Sequence, residues 1–373
     1  MRNRFLALAG ALVIAAASAS LGSAQAGQTR PAAKPAPAPS KAIPRTTDGH
    51  PDLTGVYDLA TLTPVERPNG LPAVLTDAEA AKLEKQAADR RELLSRPSKA
   101  DRDAPPLGGD GSIGAAGNVG GYNNFWLDPG SSYVQIDGQK RTSLVIDPPD
   151  GRVPQMTAAA RQRMLANRNA RPTSDAGENG NDPGFEGNGA YDDPERRGLN
   201  ERCLLGFGST SGPPVLPNYF YNNLHQIVQT PDTVMILTEM VHDARIVRMN
   251  AQHLPKTVRK WMGDSVGRWD GDTLVIDTTN FSEKTRFRGS SADLHVVERI
   301  SRIDARTLRY RFTIDDPDTW TAPWSGEYTW PTTDDHIYEY ACHEGNYALA
   351  NILKGARLKE SNDAAKKTKQ EKF

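Results

Sequence analysis

The stretch Leu294-His-Val-Val-Glu-Arg-Ile-Ser-Arg-Ile303, Asp304-Ala-Arg306, Thr307-Leu-Arg-Tyr-Arg-Phe-Thr-Ile314 decides the fold. In its second half Leu308, Tyr310, Phe312 and Ile314 alternate with Arg309, Arg311 and Thr313. A period of two puts the apolar set on one face of a strand and the polar set on the other. The three residues Asp304-Ala-Arg306 separate it from a second β-rich run, so the pair reads as a hairpin. That second run is less tidy. Val296 and Ile300 share a face, with Glu298 between them. If that face is interior, a carboxylate is buried and needs a partner. If Val297 and Ile303 mark the interior instead, Glu298 is a solvated charge.

The same punctuation recurs on both sides. Residues 266–269 and 273–277 flank Asp270-Gly271, and residues 226–229 and 233–239 flank Pro231-Asp232. Residues 327–330 are expected to pair with 336–341, and residues 132–136 and 142–146 flank Asp137-Gly138, a two-residue turn signal. Successive hairpins without helices between them predict a mainly β fold. The expected form is an antiparallel meander closing into a lipocalin-like barrel or a sandwich, with a few short peripheral helices. Thr76-Asp-Ala-Glu79 is a capping box that opens a helix over residues 77–95, stopped by Pro97. Thr157 caps a second helix to about Asn169. A third is expected over residues 346–353, with Gly355 as its stop.

Arg2 and Arg4, an apolar run over residues 5–17 and Ser23-Ala-Gln-Ala26 together predict a signal peptide over residues 1–26, cut after Ala26. The protein is therefore expected in the periplasm or secreted. No cysteine follows the apolar run, which argues against a lipid anchor. No later segment has the ~18 apolar residues that a membrane span needs. A Pro/Ala-rich linker is expected over 27–46, then a single β-rich domain over 47–357, and a disordered Lys-rich tail over 358–373. Two long polar loops, about 97–121 and 171–200, interrupt the domain. Lys+Arg 45 against Asp+Glu 46 leaves no global field to draw in nucleic acid or an anionic membrane. The expected partner is a small-molecule ligand or substrate. No cofactor is implied, and oligomeric state leaves no mark in the sequence.

Cys203 and Cys342 are the only cysteines. In an exported chain two cysteines are expected to pair. A thiolate nucleophile fits an oxidising compartment poorly, and a metal ligand lacks a Cys-x-x-Cys or His-x-x-x-His partner.

The candidate site gathers at strand ends. Glu239, His242 and Arg245 end one strand, and His225 arrives across its hairpin. The stretch Ile337-Tyr-Glu-Tyr-Ala-Cys-His-Glu-Gly-Asn-Tyr347 reads as a strand running into a helix and carries His343 and Glu344. A bridge from Cys342 to Cys203 would bring Arg202 beside them. An imidazole, a carboxylate and a guanidinium form a workable acid–base set. The catalytic candidates are His343, Glu344, His242 and Glu239. The substrate-binding candidates are His225, Arg202, Arg245, Glu298, Trp261 and Trp269. The leading expectation is a periplasmic lyase, isomerase or hydrolase working on a small organic molecule in a barrel cavity. A non-catalytic lipocalin-like binder is the alternative, and a metal-dependent hydrolase using His225, His242 and His343 the second. Gly263-Asp-Ser265-Val-Gly267 has the spacing of a nucleophile elbow, but a hairpin strand follows it where that motif needs a helix.

Three motifs together resemble a family of exported bacterial proteins found in acidobacteria and sphingomonad-like proteobacteria. They are Trp261-x-Gly-Asp-Ser-x-Gly-Arg-Trp-x-Gly-Asp-Thr-Leu-Val275, Leu294-His-Val-Val-Glu-Arg299 and Tyr338-Glu-Tyr-Ala-Cys-His-Glu-Gly-Asn-Tyr347. The likeness spans about residues 48–357. It implies a secreted, β-rich, lipocalin-like domain and carries no activity with it.

Overall fold

The chain enters through β1 (Gly55–Asp58) and β2 (Val74–Leu75), passes helix α1 (Asp77–Leu94), and forms β3 (Gln135–Ile136), β4 (Gln139–Arg141), β5 (Val145–Asp147) and α2 (Ala158–Asn169). A run of strands follows: β6 (Leu224–Gln229), β7 (Thr233–Thr238), β8 (Ala244–Met249), β9 (Asp264–Asp270) and β10 (Thr273–Thr279). It continues through β11 (His295–Arg302), β12 (Thr307–Asp315) and β13 (Trp324–Pro331), and helix α3 (Tyr347–Gln370) ends it. The structure, a computed structural model, describes residues 42–96, 127–169, 191, 193–206, 212–219, 221–285 and 287–370. The signal peptide, most of the linker, the 97–121 loop and most of the 171–200 loop fall outside these.

Ten strands make one curled sheet, a half-barrel, in the order β1-β6-β7-β8-β9-β10-β11-β12-β13-β5, and β2-β4-β3 form a small second sheet. The two ends of the large sheet meet on β13. Its outer side pairs with β5 at Ser325 and Gly326, and Thr332 just beyond it bridges Tyr57 of β1. The Thr333 N–H donates to the Val56 carbonyl (2.9 Å). The far side of β5 is bonded as well: the N–H groups of Leu144 and Val145 donate to the carbonyls of Pro64 (2.9 Å) and Val65 (3.0 Å).

The alternation read from 307–314 holds. Leu308, Tyr310, Phe312 and Ile314 are buried, and so are Val296, Glu298 and Ile300 opposite them. The interior is aromatic: Tyr310 stacks on Trp330 (4.6 Å) and meets Tyr328 edge-on (5.4 Å). Gly326 lets the Phe312 ring lie flat against its strand, since a Cβ there would fall 2.2 Å from Phe312 Cζ. The capping box is present: the Glu79 N–H donates to Thr76 Oγ1, and the Thr76 N–H donates to Glu79 Oε2 (2.8 Å). Thr157 Oγ1 accepts from the Ala160 N–H (3.0 Å) at the start of α2.

Several expectations are corrected. Strands β8 and β9 run parallel, joined by the crossover 250–263, so the meander is broken once. The Asp137-Gly138 hairpin is shorter than expected, because Thr142 leaves it and Val145 joins the large sheet. Residues 336–341 form no strand. The outer side of β13, where they would pair, is already taken by β5 and β1. Helix α3 runs through Gly355 to Gln370, covering most of the segment expected to be disordered. One glycine costs a helix about 1 kcal/mol, and the Ala, Arg, Leu, Lys and Glu residues that follow are strong helix formers. Arg45, assigned to the tether, is held by Asp272 through both guanidinium nitrogens (2.6 and 2.9 Å).

Candidate functional site

Two sequence-predicted residues meet inside the half-barrel, and a third, His225, is buried in the same interior. Arg245 points in from β8 and Glu298 from β11, both buried, and the guanidinium grips the carboxylate with both nitrogens, Nη2 to Oε1 at 2.8 Å and Nη1 to Oε2. The Tyr310 hydroxyl also donates to Glu298 Oε1 (2.7 Å) and accepts from the Val215 N–H (2.8 Å). The Tyr328 hydroxyl donates to the Val215 carbonyl (2.9 Å). Residues 212–218 are all buried, and the peptide groups of Val215 are bonded by two tyrosines of the sheet, Tyr310 and Tyr328. Burial drives the Tyr310 hydroxyl well above its usual range, with the Glu298 charge adding to the rise. His225, on β6, is fully buried, and burial pulls it down to about 4. An isolated buried charge here would cost several kcal/mol, which the tight pairing of Arg245 with Glu298 offsets.

The other candidates are scattered. Glu239 is buried at the end of β7 and accepts the N–H groups of Tyr338 (3.2 Å) and Leu224 (3.4 Å), so it ties the C-terminal segment to β6. Burial raises its pKa. The chain turns sharply at Val241, where φ is 60°, and leaves His242 exposed. Cys203 and Cys342 are bonded, with Cα atoms 5.9 Å apart. Yet Arg202 turns to Glu195 (2.7 Å), and His343 and Glu344 are exposed, so the expected convergence does not form. Trp269 stacks on His50 (4.5 Å, 5° between planes), while the Trp261 carbonyl accepts Thr285 Oγ1 (2.7 Å). Ser265 lies inside and shares a hydrogen bond with Thr278 (2.9 Å), unlike an exposed nucleophile. Among the described residues no group of three His, Cys, Asp or Glu side chains could hold a metal ion. The three histidines of the metal reading lie apart, one inside and two exposed.

A second cluster, missed in the sequence, lies on the outer wall. Asp264 starts β9 on the face opposite Ser265, and the 250–263 crossover covers it. Its carboxylate accepts from the Leu254 N–H (2.9 Å), Arg248 (2.9 Å), Lys260 (3.1 Å) and His253 Nδ1 (3.3 Å). The other ring nitrogen, His253 Nε2, lies 3.0 Å from Asp277 Oδ1 on β10. His295 on β11 brings its own Nε2 to the same oxygen (3.1 Å) and to Oδ2 (3.2 Å). A chain of close polar contacts therefore runs from buried Asp264 through His253 and Asp277 to His295, which is 39% exposed. Burial pushes Asp264 up, but the bonds from Leu254, Lys260 and His253 outweigh it and hold the carboxyl below its usual range. The hydrogen bond to His295 lowers Asp277, and the same bond raises His295. With Nε2–H committed to a carboxylate, His295 Nδ1 is left as the working nitrogen.

This geometry fixes a pH dependence. The raised His295 contributes fully below its unfolded value of 6.5 and loses that contribution as pH climbs through its folded value. The lowered Asp277 contributes fully above its unfolded value of 3.8 and loses it as pH falls through the folded one. The pair therefore stabilises most between about pH 4 and 6.5. Thermal melts of the wild type and His295→Asn are expected to differ most near about pH 5.5 and to converge once the pH has passed the raised folded value of His295. The gap is at most about 1 kcal/mol, because the pair is half in water. A gap that stays constant from acid to alkali would contradict this.

Neither a family model, nor a curated protein, nor a solved structure matches this chain. The fold and its two polar clusters therefore carry the functional argument alone.

Proposed function

We propose that this protein is an exported acid–base enzyme that acts on a small organic molecule, working through His295 on the outer wall of the half-barrel. The supporting observation is one part-exposed imidazole whose Nε2 is clamped by both carboxylate oxygens of Asp277, which leaves Nδ1 as the nitrogen not engaged with that carboxylate. His295 Nδ1 removes a proton from a water molecule as that water's oxygen bonds to the substrate's acyl carbon. The bond to the leaving oxygen then breaks, and the imidazolium returns the proton to it. Asp277 orients the ring and stabilises the imidazolium, while His253 and Asp264 position Asp277. A hydrolase is the best fit among the acid–base chemistries.

Initial rates on p-nitrophenyl acetate, small lactones and small amides test this. His295→Ala is expected to lower kcat/KM by about 100-fold or more, the usual worth of a positioned base. Ser265→Ala should leave the rate unchanged. Wild-type rates in His295→Ala on every substrate that the protein turns over would remove His295 from the mechanism. A second reading, a small-molecule binder of lipocalin type, is favoured by the polar chain deep in the interior. A binder keeps its ligand affinity in His295→Ala.

A further inference from the structure

The acid–base proposal leaves His225 unused, although it is the most deeply buried imidazole. It sits on the inner face of β6, in register with Tyr57 on β1 and Thr238 on β7. Its ring lies 5.9 Å from that of Trp330, which in turn stacks on Tyr310. Nδ1 is 3.1 Å from the carbonyl oxygen of Asn223. A carbonyl only accepts, so Nδ1 carries the hydrogen. Burial keeps the ring neutral, which makes Nε2 a bare lone pair. That atom is buried and meets no donor among the described residues. Arg245 adds the complementary group. Its two terminal nitrogens are committed to Glu298, but its Nε–H is buried and also without a partner.

Among the unpartnered buried atoms of the described residues, the interior therefore offers the acceptor His225 Nε2 and the donor Arg245 Nε–H beside an aromatic wall. A carboxylate has no hydrogen for Nε2 and would face Glu298. An ether or ketone accepts but cannot donate. An ammonium donates but cannot accept, and would lie near the Arg245 charge. A hydroxyl does both. We infer that the half-barrel interior binds a small phenol or apolar alcohol, its hydroxyl donating to His225 Nε2 and accepting from the Arg245 Nε–H, its ring against Trp330. This goes beyond the proposal for His295, because the two places lie on opposite faces of the sheet and either can fail alone. Residues 212–218 fill the same interior, so entry requires that segment to move and is expected to be slow.

Phenol and anisole decide the matter, since they share a ring and differ in the hydroxyl hydrogen. Isothermal titration calorimetry on the full chain, after long equilibration, is expected to show phenol binding and anisole weaker by about tenfold or more. His225→Leu should bring phenol down to the anisole level. His225→Gln, which keeps an acceptor, should preserve part of the preference, and melting curves check that both variants fold. Should His225→Leu not fold, the wild type and His225→Gln still decide. Equal affinity for the two probes overturns the inference, because the hydroxyl is then not read. Binding of neither overturns it too, because the site then holds nothing larger than water.

Discussion

Replacing Glu298 with alanine is expected to destabilise the protein by about 3–5 kcal/mol, measured as a fall in the guanidinium midpoint at unchanged slope. The carboxylate is fully buried and takes both terminal nitrogens of Arg245 and the Tyr310 hydroxyl. Its removal strands a guanidinium in an interior walled by Tyr310, Tyr328 and Trp330, and leaves a phenol without its acceptor. A domain is stable by only about 5–15 kcal/mol, so the variant should lose a large fraction of its stability. Removing both charges tests the cause. Arg245→Met with Glu298→Leu deletes the stranded charge as well as its partner, and a well-packed apolar pair often matches a buried ion pair. The double variant is expected to recover most of the loss. A double variant as unstable as Glu298→Ala would mean that packing volume, not the uncompensated charge, sets the cost.

Removing the Cys203–Cys342 bond should rank next. The bridge joins residues 139 apart, and the chain-entropy argument for a loop of that size gives about 5 kcal/mol as an upper bound. Cys203→Ser with Cys342→Ser is expected to lose about 2–5 kcal/mol. The loss should be local first. Residues 336–346 lie outside the sheet, and the bonds that hold them include the Tyr338 N–H to Glu239 (3.2 Å) and Asn346 Nδ2 to the Glu201 carbonyl (2.6 Å). Limited proteolysis of the reduced protein or the variant should therefore clip between β13 and α3 while β6–β13 stay intact. Loss of the whole sheet in one step would show that the bond supports the core directly.

The fold was legible where local signals agree. Alternation along 307–314, the Asp270-Gly271 turn and the Thr76–Glu79 box each name their structure from a few neighbouring residues. Glu298 shows the limit. Alternation placed it with Val296 and Ile300, but whether that face was interior turned on Arg245, 53 residues away, whose own strand β8 was not foreseen. Residues 336–341 failed for the opposite reason. Their Tyr-Glu-Tyr-Ala alternation suits a strand, but pairing needs an open partner, and β13 had none left. Strand periodicity is a statement about one chain segment and carries no knowledge of which neighbours are occupied.

The outer-wall cluster was hidden more deeply. Asp277 and His295 are outward residues on adjacent strands, and Asp277 pairs with Val297, one diagonal step from His295. That signal was available once β10 was placed beside β11. His253 was not recoverable, because it belongs to a crossover whose path is set by the parallel pairing of β8 with β9. Polar residues at outward strand positions are the rule, so neither Asp277 nor His295 stands out in its own strand.

The seams of the half-barrel have one more effect. Thr332 and Thr333 serve the open flank of β1, and Pro64 and Val65 serve that of β5, so neither flank of the large sheet presents a row of idle amides. A row of that kind is a template on which a strand from another molecule can grow. Closing both removes the flanks of the large sheet as templates for strand-by-strand polymerisation.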